Sequence, residues 1–324
     1  MVIGVDYGGF NLRFASAIKR HVRARIGSFN NWNPKLMQYV SPQVWASREG
    51  RANRMERDLD LLLSIFPFEK DWYARRVPRL PVAFVGHPIF DRYPQSRASR
   101  GESGGQTAAP TCPALDARPS PLAPPQILLL PGSRPAELKH HLPVMLGALE
   151  LIRAKLPQAS AEMILPNDAL LAQVKALGLS RELRVQAGGL AAALRRSTIA
   201  IAKTGTVTVE CAFFGVPAVT LYRTSWSSYQ IAKRKVRVQW LTMPNLLAGV
   251  EVFPEFVQDA ATPEKIARAA LELLTDGTRR REIKTKLAEV VASLGGAGAS
   301  HRAADAIVEL LAGRLASPIR ASAD

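Results

Sequence analysis

Short apolar runs alternate with longer amphipathic ones along most of the chain. From residue 126 onward the order is QILLLPG, then Leu142 to Leu156, AEMILPN, Ala169 to Leu177, LRVQAG, Leu190 to Arg196, TIAIAKTG, Val207 to Phe214 and PAVTLY. A short run that is apolar at successive positions predicts a strand buried on both faces, and helical spacing between such runs predicts crossover helices. Together they predict a parallel α/β sheet covered on both sides. The same grammar opens the chain: VIGVD, a helix over Asn11 to Arg23, MQYVSP, a helix over Glu49 to Asp58, DLLLSIFP and PVAFVGHP. The first strand, Val2 to Val5, is apolar throughout and is expected at the centre of its sheet.

The pattern breaks between Gln95 and Gln126, where RASRGESGGQTAAPTCPALDARPSPLAPP is rich in Ser, Pro, Gly and Ala without periodicity. Such a segment cannot bury enough surface to offset its ordering entropy. It is expected to be a disordered linker, spanning on the order of 30 Å as a loose coil. The expected organisation is therefore a first lobe over 1–94, a linker over 95–126 and a second lobe over 127–324 with C-terminal helices. Doubly wound lobes usually need about 100 to 150 residues, so the first lobe is either small or missing its beginning.

Composition narrows the class. With 324 residues and 47% apolar content, the chain is long enough for about two domains and too apolar to be a disordered polymer. No apolar run approaches the roughly 20 residues needed to cross a bilayer. Two cysteines, Cys112 in the linker and Cys211, cannot build a disulfide framework, which makes a reducing cytoplasm the default. The net charge is +16, of which +9 falls in the first 100 residues. This implies an anionic partner. No nucleic-acid module or aromatic stacking pattern is present, so a phosphorylated metabolite or an anionic membrane is preferred to RNA or DNA.

Several strands end directly in small or polar residues before a helix, and in open sheets ligands sit at those carboxyl ends. Gly132, Ser133 and Arg134 follow one strand. Their backbone amides and guanidinium suit a phosphate, although a plain strand-to-helix turn would look the same. Thr204, Gly205 and Thr206 follow another, with Glu210 one turn on. Hydroxyls and amides there suit a diphosphate and the carboxylate suits ribose hydroxyls, against the alternative of a capped core helix. Neither a Walker lysine pattern nor GxGxxG is present. Asp6, closing VIGVDYGGFN, is either a general base or a helix cap. His87 in FVGHP either orients a ligand or is a satisfied histidine. SWSSYQIAKRKVRVQW mixes Lys233, Arg234, Lys235 and Arg237 with Trp226 and Trp240, as an interfacial surface or a solvated helix would. PNLLAGVEVFPEFVQ brings Asn245, Gly249, Glu255 and Gln258 to a loop able to read out a polar ligand.

Taken in order, VDYGGFNLRFA, YVSPQVWASREGR, IFPFEKDWY, FVGHPIFD, LLPGSRPAELKHHLPVML, KTGTVTVECAFFGVPAVTLYR and LTMPNLLAGVEVFPEFVQDAATPE resemble the lipid-A-disaccharide synthase family of glycosyltransferases. The resemblance covers nearly everything except the linker and tail. It implies a GT-B fold of two Rossmann-like lobes, the first incomplete here. The implied reaction transfers 2,3-diacylglucosamine from UDP to the 6-hydroxyl of 2,3-diacylglucosamine 1-phosphate, with inversion and without metal or other cofactor. In family terms Asp6 matches the base. Gly132, Ser133, Arg134, Thr204, Gly205, Thr206, Glu210 and Asn245 match nucleotide-binding elements. Asn11, Ser41, Trp45, His87 and Gln258 fall to the acceptor side of the cleft. The implied location is cytoplasmic and peripheral on the anionic inner membrane, with no nucleic acid and with room for a homo-oligomer.

The sequence departs from the family pattern in four places. Gly9 stands where a second aspartate is usual, and Lys203-Thr204-Gly205-Thr206 replaces Ala-Ser-Gly-Thr. The linker is longer, and the family's earlier strand and helix units are absent. The expectation is a shortened gene model, or another chain supplying the missing surface. Competing expectations are another GT-B enzyme of UDP-N-acetylglucosamine, such as a 2-epimerase, and a noncatalytic anion-binding or lipid-binding remnant.

Overall fold

A computed structural model describes residues 1–27, 29–94, 124–178 and 182–314. These divide into two compact units: one holds 1–94, 235–238 and 293–314, and the other holds the remaining described residues.

In the first unit, β1 (Val2–Val5), β2 (Leu36–Tyr39), β3 (Leu61–Ser64) and β4 (Val82–Phe84) form a parallel sheet in that order. The connections carry α1 (Gly8–Arg25), α2 (Val44–Ser47), α3 (Arg51–Asp58) and α4 (Pro67–Arg76), and α5 (Ile89–Arg92) follows β4. Leu12, Ala15, Ile18 and Val22, spaced three and four apart on α1, share one core with Leu36, Leu62 and Tyr73.

Contrary to expectation, β1 is the edge of this sheet. It pairs only with β2 among the described residues, and Ile3 and Val5 are 38% and 58% exposed. Apolar content alone signals a strand fit for burial on both faces, and cannot say whether a neighbour covers it.

In the second unit, β5 (Gln126–Leu130), β6 (Ser160–Leu165), β7 (Leu183–Ala187), β8 (Ile199–Lys203), β9 (Ala218–Tyr222) and β10 (Glu255–Val257) form a parallel sheet of order β10-β9-β8-β5-β6-β7. Its helices are α6 (Pro135–Lys155), α7 (Asp168–Lys175), α8 (Leu190–Arg196), α9 (Val207–Phe213), α10 (Trp226–Lys235), α11 (Met243–Ala248), α12 (Pro263–Thr275) and α13 (Gly277–Ser293). Gln126, expected as the end of the linker, already belongs to β5. Most of that linker, with Cys112, lies outside the described residues. Strand order reverses at β5, which has β6 on one side and β8 on the other, in register Leu130 with Ala202. A reversal of this kind opens a crevice at the strands' carboxyl ends.

The last helix, α14 (Ala299–Leu311), corrects the expected boundary. Its Ala303, Ala306 and Leu310 close the second face of the first sheet, on Met37, Leu61 and Leu63. Asp91 accepts hydrogen bonds from the amides of Gly298 and Ser300 at its start. Periodicity shows that a helix has an apolar side, but not which sheet that side covers.

Candidate active site

The two glycine turns of the second unit follow β5 and β8, the neighbouring strands at the reversal. At Gly132 the backbone has φ 131°, and a Cβ would lie 2.5 Å from Glu137 Oε2. Only glycine fits. Glu137, on the first turn of α6, accepts the Ser133 amide at 2.8 Å and holds Lys203 Nζ at 3.1 Å. Burial opposes the charged form of Glu137. Even so, the Ser133 amide, Lys203 and Arg134 outweigh burial and hold its carboxyl below the usual range. The carboxylate thus ties the end of β5 to the end of β8. It also occupies the Ser133 amide, which was expected to face an anion, and pairs with the Lys203 charge. Arg134 stays outward, its side chain 80% exposed and 4.0 Å from Glu137.

After β8, Thr204 is buried, Gly205 has φ 147° and Thr206 is exposed. Both the amide and the hydroxyl of Thr208 donate to Gly205 O, which closes the turn. Glu210, one turn later, is only 9% exposed. His141 is fully buried: its Nδ1–H donates to Pro131 O at 2.8 Å and its Nε2 accepts the Arg223 amide at 3.0 Å. Those partners fix the neutral form, and burial lowers its pKa. Neither Glu137 nor His141 was picked out from the sequence, because each has a partner far along the chain, Lys203 for Glu137 and Arg223 for His141.

Asn245 and Gln258 differ from expectation. The Asn245 amide donates to Phe253 O and Glu255 Oε1 and accepts from the Val252 and Phe253 amides, all at 2.8–2.9 Å. Its two donors and two acceptors are used up, so it braces the loop and has no capacity left for a nucleotide. Gln258 uses both ends of its side chain on the Thr224 backbone, and it too is a bracket.

In the first unit, Asp6 sits just past β1 with φ 53°, a conformation in which Asp is tolerated better than most residues. Its amide donates to Tyr39 O at 2.9 Å and its carbonyl accepts from Gln38 Nε2 at 2.9 Å. Its exposed carboxylate has no hydrogen-bond partner among the described residues. Asn11 donates to Val5 O at 3.1 Å and secures the strand end.

Ser41 and Trp45 are 4% and 6% exposed, too buried to line a cleft as expected. They surround Glu69, which is 0% exposed. Glu69 accepts from Trp45 Nε1 at 3.0 Å and from the Phe66 amide at 3.2 Å, while Ser41 shares a hydrogen bond with Tyr73 at 3.0 Å. This buried network supports the loops after β2 and β3. Burial raises Glu69 to about 7. His87 is half-buried, with its Nδ1 accepting the Ile89 amide, and burial lowers it to about 4. It is therefore neutral near pH 7 and offers an anion no charge.

These shifts have opposite consequences. Glu69 favours the folded state most below pH 4.5 and loses that contribution as pH rises through 7. His87 contributes fully above pH 6.5 and loses its contribution as pH falls through 4. Relative to wild type, Glu69→Gln should gain about 3 kcal/mol of stability between pH 4.5 and 8. Urea unfolding of both proteins at each pH measures this, and a difference that is flat with pH would refute it.

Comparison with known proteins gives one result. The family model for lipid-A-disaccharide synthetase matches residues 1–309. The lipid-A-disaccharide synthase of Nitrobacter hamburgensis is 37% identical over 318 residues, covering 96% of this chain and 74% of that protein. The one from Geobacter metallireducens is 34% identical over 320 residues, covering 96% and 75%. Among solved structures, the UDP complex of Staphylococcus aureus MnaA aligns with TM-score 0.60 at 11% identity, covering 96% of this chain and 76% of that one. A Listeria monocytogenes protein described as a candidate UDP-N-acetylglucosamine 2-epimerase aligns with TM-score 0.59 at 15% identity, covering 96% and 73%. At such identities the structures speak to fold alone.

Proposed function

The chain belongs to the lipid-A-disaccharide synthase family and is a glycosyltransferase of GT-B fold; from that premise we propose that it joins two acylated glucosamines. In this reading the 6-hydroxyl oxygen of 2,3-diacylglucosamine 1-phosphate attacks the anomeric carbon of UDP-2,3-diacylglucosamine. Asp6 takes the hydroxyl proton, the bond from that carbon to the diphosphate breaks, and UDP leaves. The configuration inverts because attack and departure are on opposite faces. A positioned carboxylate contributes most when it is free to accept the proton, and the carboxylate of Asp6 has no competing partner among the described residues. Charge that builds on the leaving diphosphate needs a fixed cation and dipoles. Arg134 and the turn Thr204 to Thr206 supply these, with Glu137 holding the two turns in register.

A peripheral position on the cytoplasmic face of the inner membrane follows from the same substrates. Exposed Tyr7, Phe10 and Phe14 lie on or beside α1 in the strongly basic first 100 residues. The helix α10 buries no residue and exposes Trp226 and Ile231 with Lys233, Arg234 and Lys235. Such mixtures favour an anionic interface. No helix among the described residues is long and apolar enough to cross a membrane.

The observation that carries the proposal is the single family match over 1–309, which takes in the Asp6 turn and both glycine turns. The test supplies the purified protein with both acylated substrates. Equimolar disaccharide 1-phosphate and UDP are expected. Epimerisation of UDP-N-acetylglucosamine without disaccharide would overturn the proposal in favour of a 2-epimerase, and substrate binding without turnover would point to a noncatalytic role.

A further inference from the structure

Beside the start of α1, Gly8, Gly9, Leu12, Arg13, Arg51 and Arg54 enclose a cavity of about 340 Å³. No acidic side chain lines it. Arg13 commits its Nε to Gly9 O at 2.9 Å, which leaves its two terminal nitrogens. Arg51 and Arg54 are one turn apart on α3 and face the same hollow. None of the three forms an ion pair among the described residues. Burial, and then the like charges of Arg48, Arg54 and Arg13, lower the pKa of Arg51. Three uncompensated guanidinium groups around one hollow repel one another, and a bound dianion would relieve that repulsion.

The surroundings leave room for a phosphate carried on a larger ligand. A Cβ at Gly8 would lie 2.7 Å from the Pro42 ring, so glycine lets the helix start approach the loop after β2. At Gly9 a Cβ would meet nothing within 4 Å, which leaves the mouth open.

We propose that this hollow seats the phosphate monoester of an acylated sugar, with Arg13, Arg51 and Arg54 on the phosphate. The identification of that sugar as the acceptor rests on the function proposed above. A phospholipid headgroup offers related chemistry, so the test has separate arms.

Binding of glucosamine 1-phosphate, glucosamine and phosphatidylglycerol vesicles is measured calorimetrically on wild type, on Arg51→Gln/Arg54→Gln and on Arg13→Gln, with circular dichroism as the check on folding. Glucosamine 1-phosphate should bind wild type more tightly than glucosamine does, and either variant should weaken it about tenfold or more. In turnover, the preference for phosphorylated over dephosphorylated acceptor should collapse in both variants. Unchanged glucosamine 1-phosphate binding in both folded variants would overturn the proposal. Loss of vesicle binding alone would also overturn it and assign the arginines to the bilayer. If wild type makes disaccharide and the variants keep the phosphate preference, the seat fails while the proposed function stands. If wild type makes none yet binds glucosamine 1-phosphate through these arginines, the seat stands and the functional reading fails.

Discussion

Asp6→Asn should lower turnover in disaccharide formation by about 10²- to 10⁴-fold, equivalent to about 3–5 kcal/mol of transition-state stabilisation. UDP affinity should change little. The substitution isolates the proton acceptor. Asn tolerates the same positive φ, and the hydrogen bonds that fix position 6 come from its backbone, to Tyr39 and Gln38. The fold and the loop therefore persist, while an amide cannot take the proton of an attacking hydroxyl. The checks are steady-state rates with both acylated substrates and calorimetric UDP binding. A turnover number near wild type would remove Asp6 from the mechanism.

Asn245→Ala should act in the opposite way, costing about 3–5 kcal/mol of folding stability with little effect on UDP affinity in the protein that remains folded. The truncation strands the Val252 and Phe253 amides and the Phe253 carbonyl at a site that is 0% exposed. It also removes one of the donors to Glu255, which the amides of Leu241 and Thr242 share. Each buried group left without a partner costs about 1–3 kcal/mol. Urea or thermal unfolding with UDP titration at low temperature separates the two roles. A stable variant with greatly weakened UDP binding would return Asn245 to direct nucleotide contact.

These two residues looked alike in the sequence, as polar side chains in family motifs beside a loop. What distinguishes them is partner count: none for the Asp6 carboxylate among the described residues and four for the Asn245 amide. Ser41 and Trp45 belong with Asn245 in this respect, since their polar atoms turn inward to Tyr73 and Glu69. Glu69 itself was hidden because DLLLSIFP reads as one continuous strand. The strand ends at Ser64 and α4 begins at Pro67, which places Glu69 in the first turn, where it can accept the Phe66 amide.

The sequence by itself determined the alternation of strand and helix, the parallel sense of both sheets and the placing of Asp6, Gly132 and Gly205 just past strand ends. These follow from local spacing of apolar residues and from backbone conformations that few residues adopt. Only the tertiary structure decided that β1 is an edge, that α14 covers the first sheet, that Glu137 links the two glycine turns and that three arginines share one hollow. Each of those depends on which distant surface comes to lie against a given face, and an apolar stripe or a charged side chain carries no record of its partner.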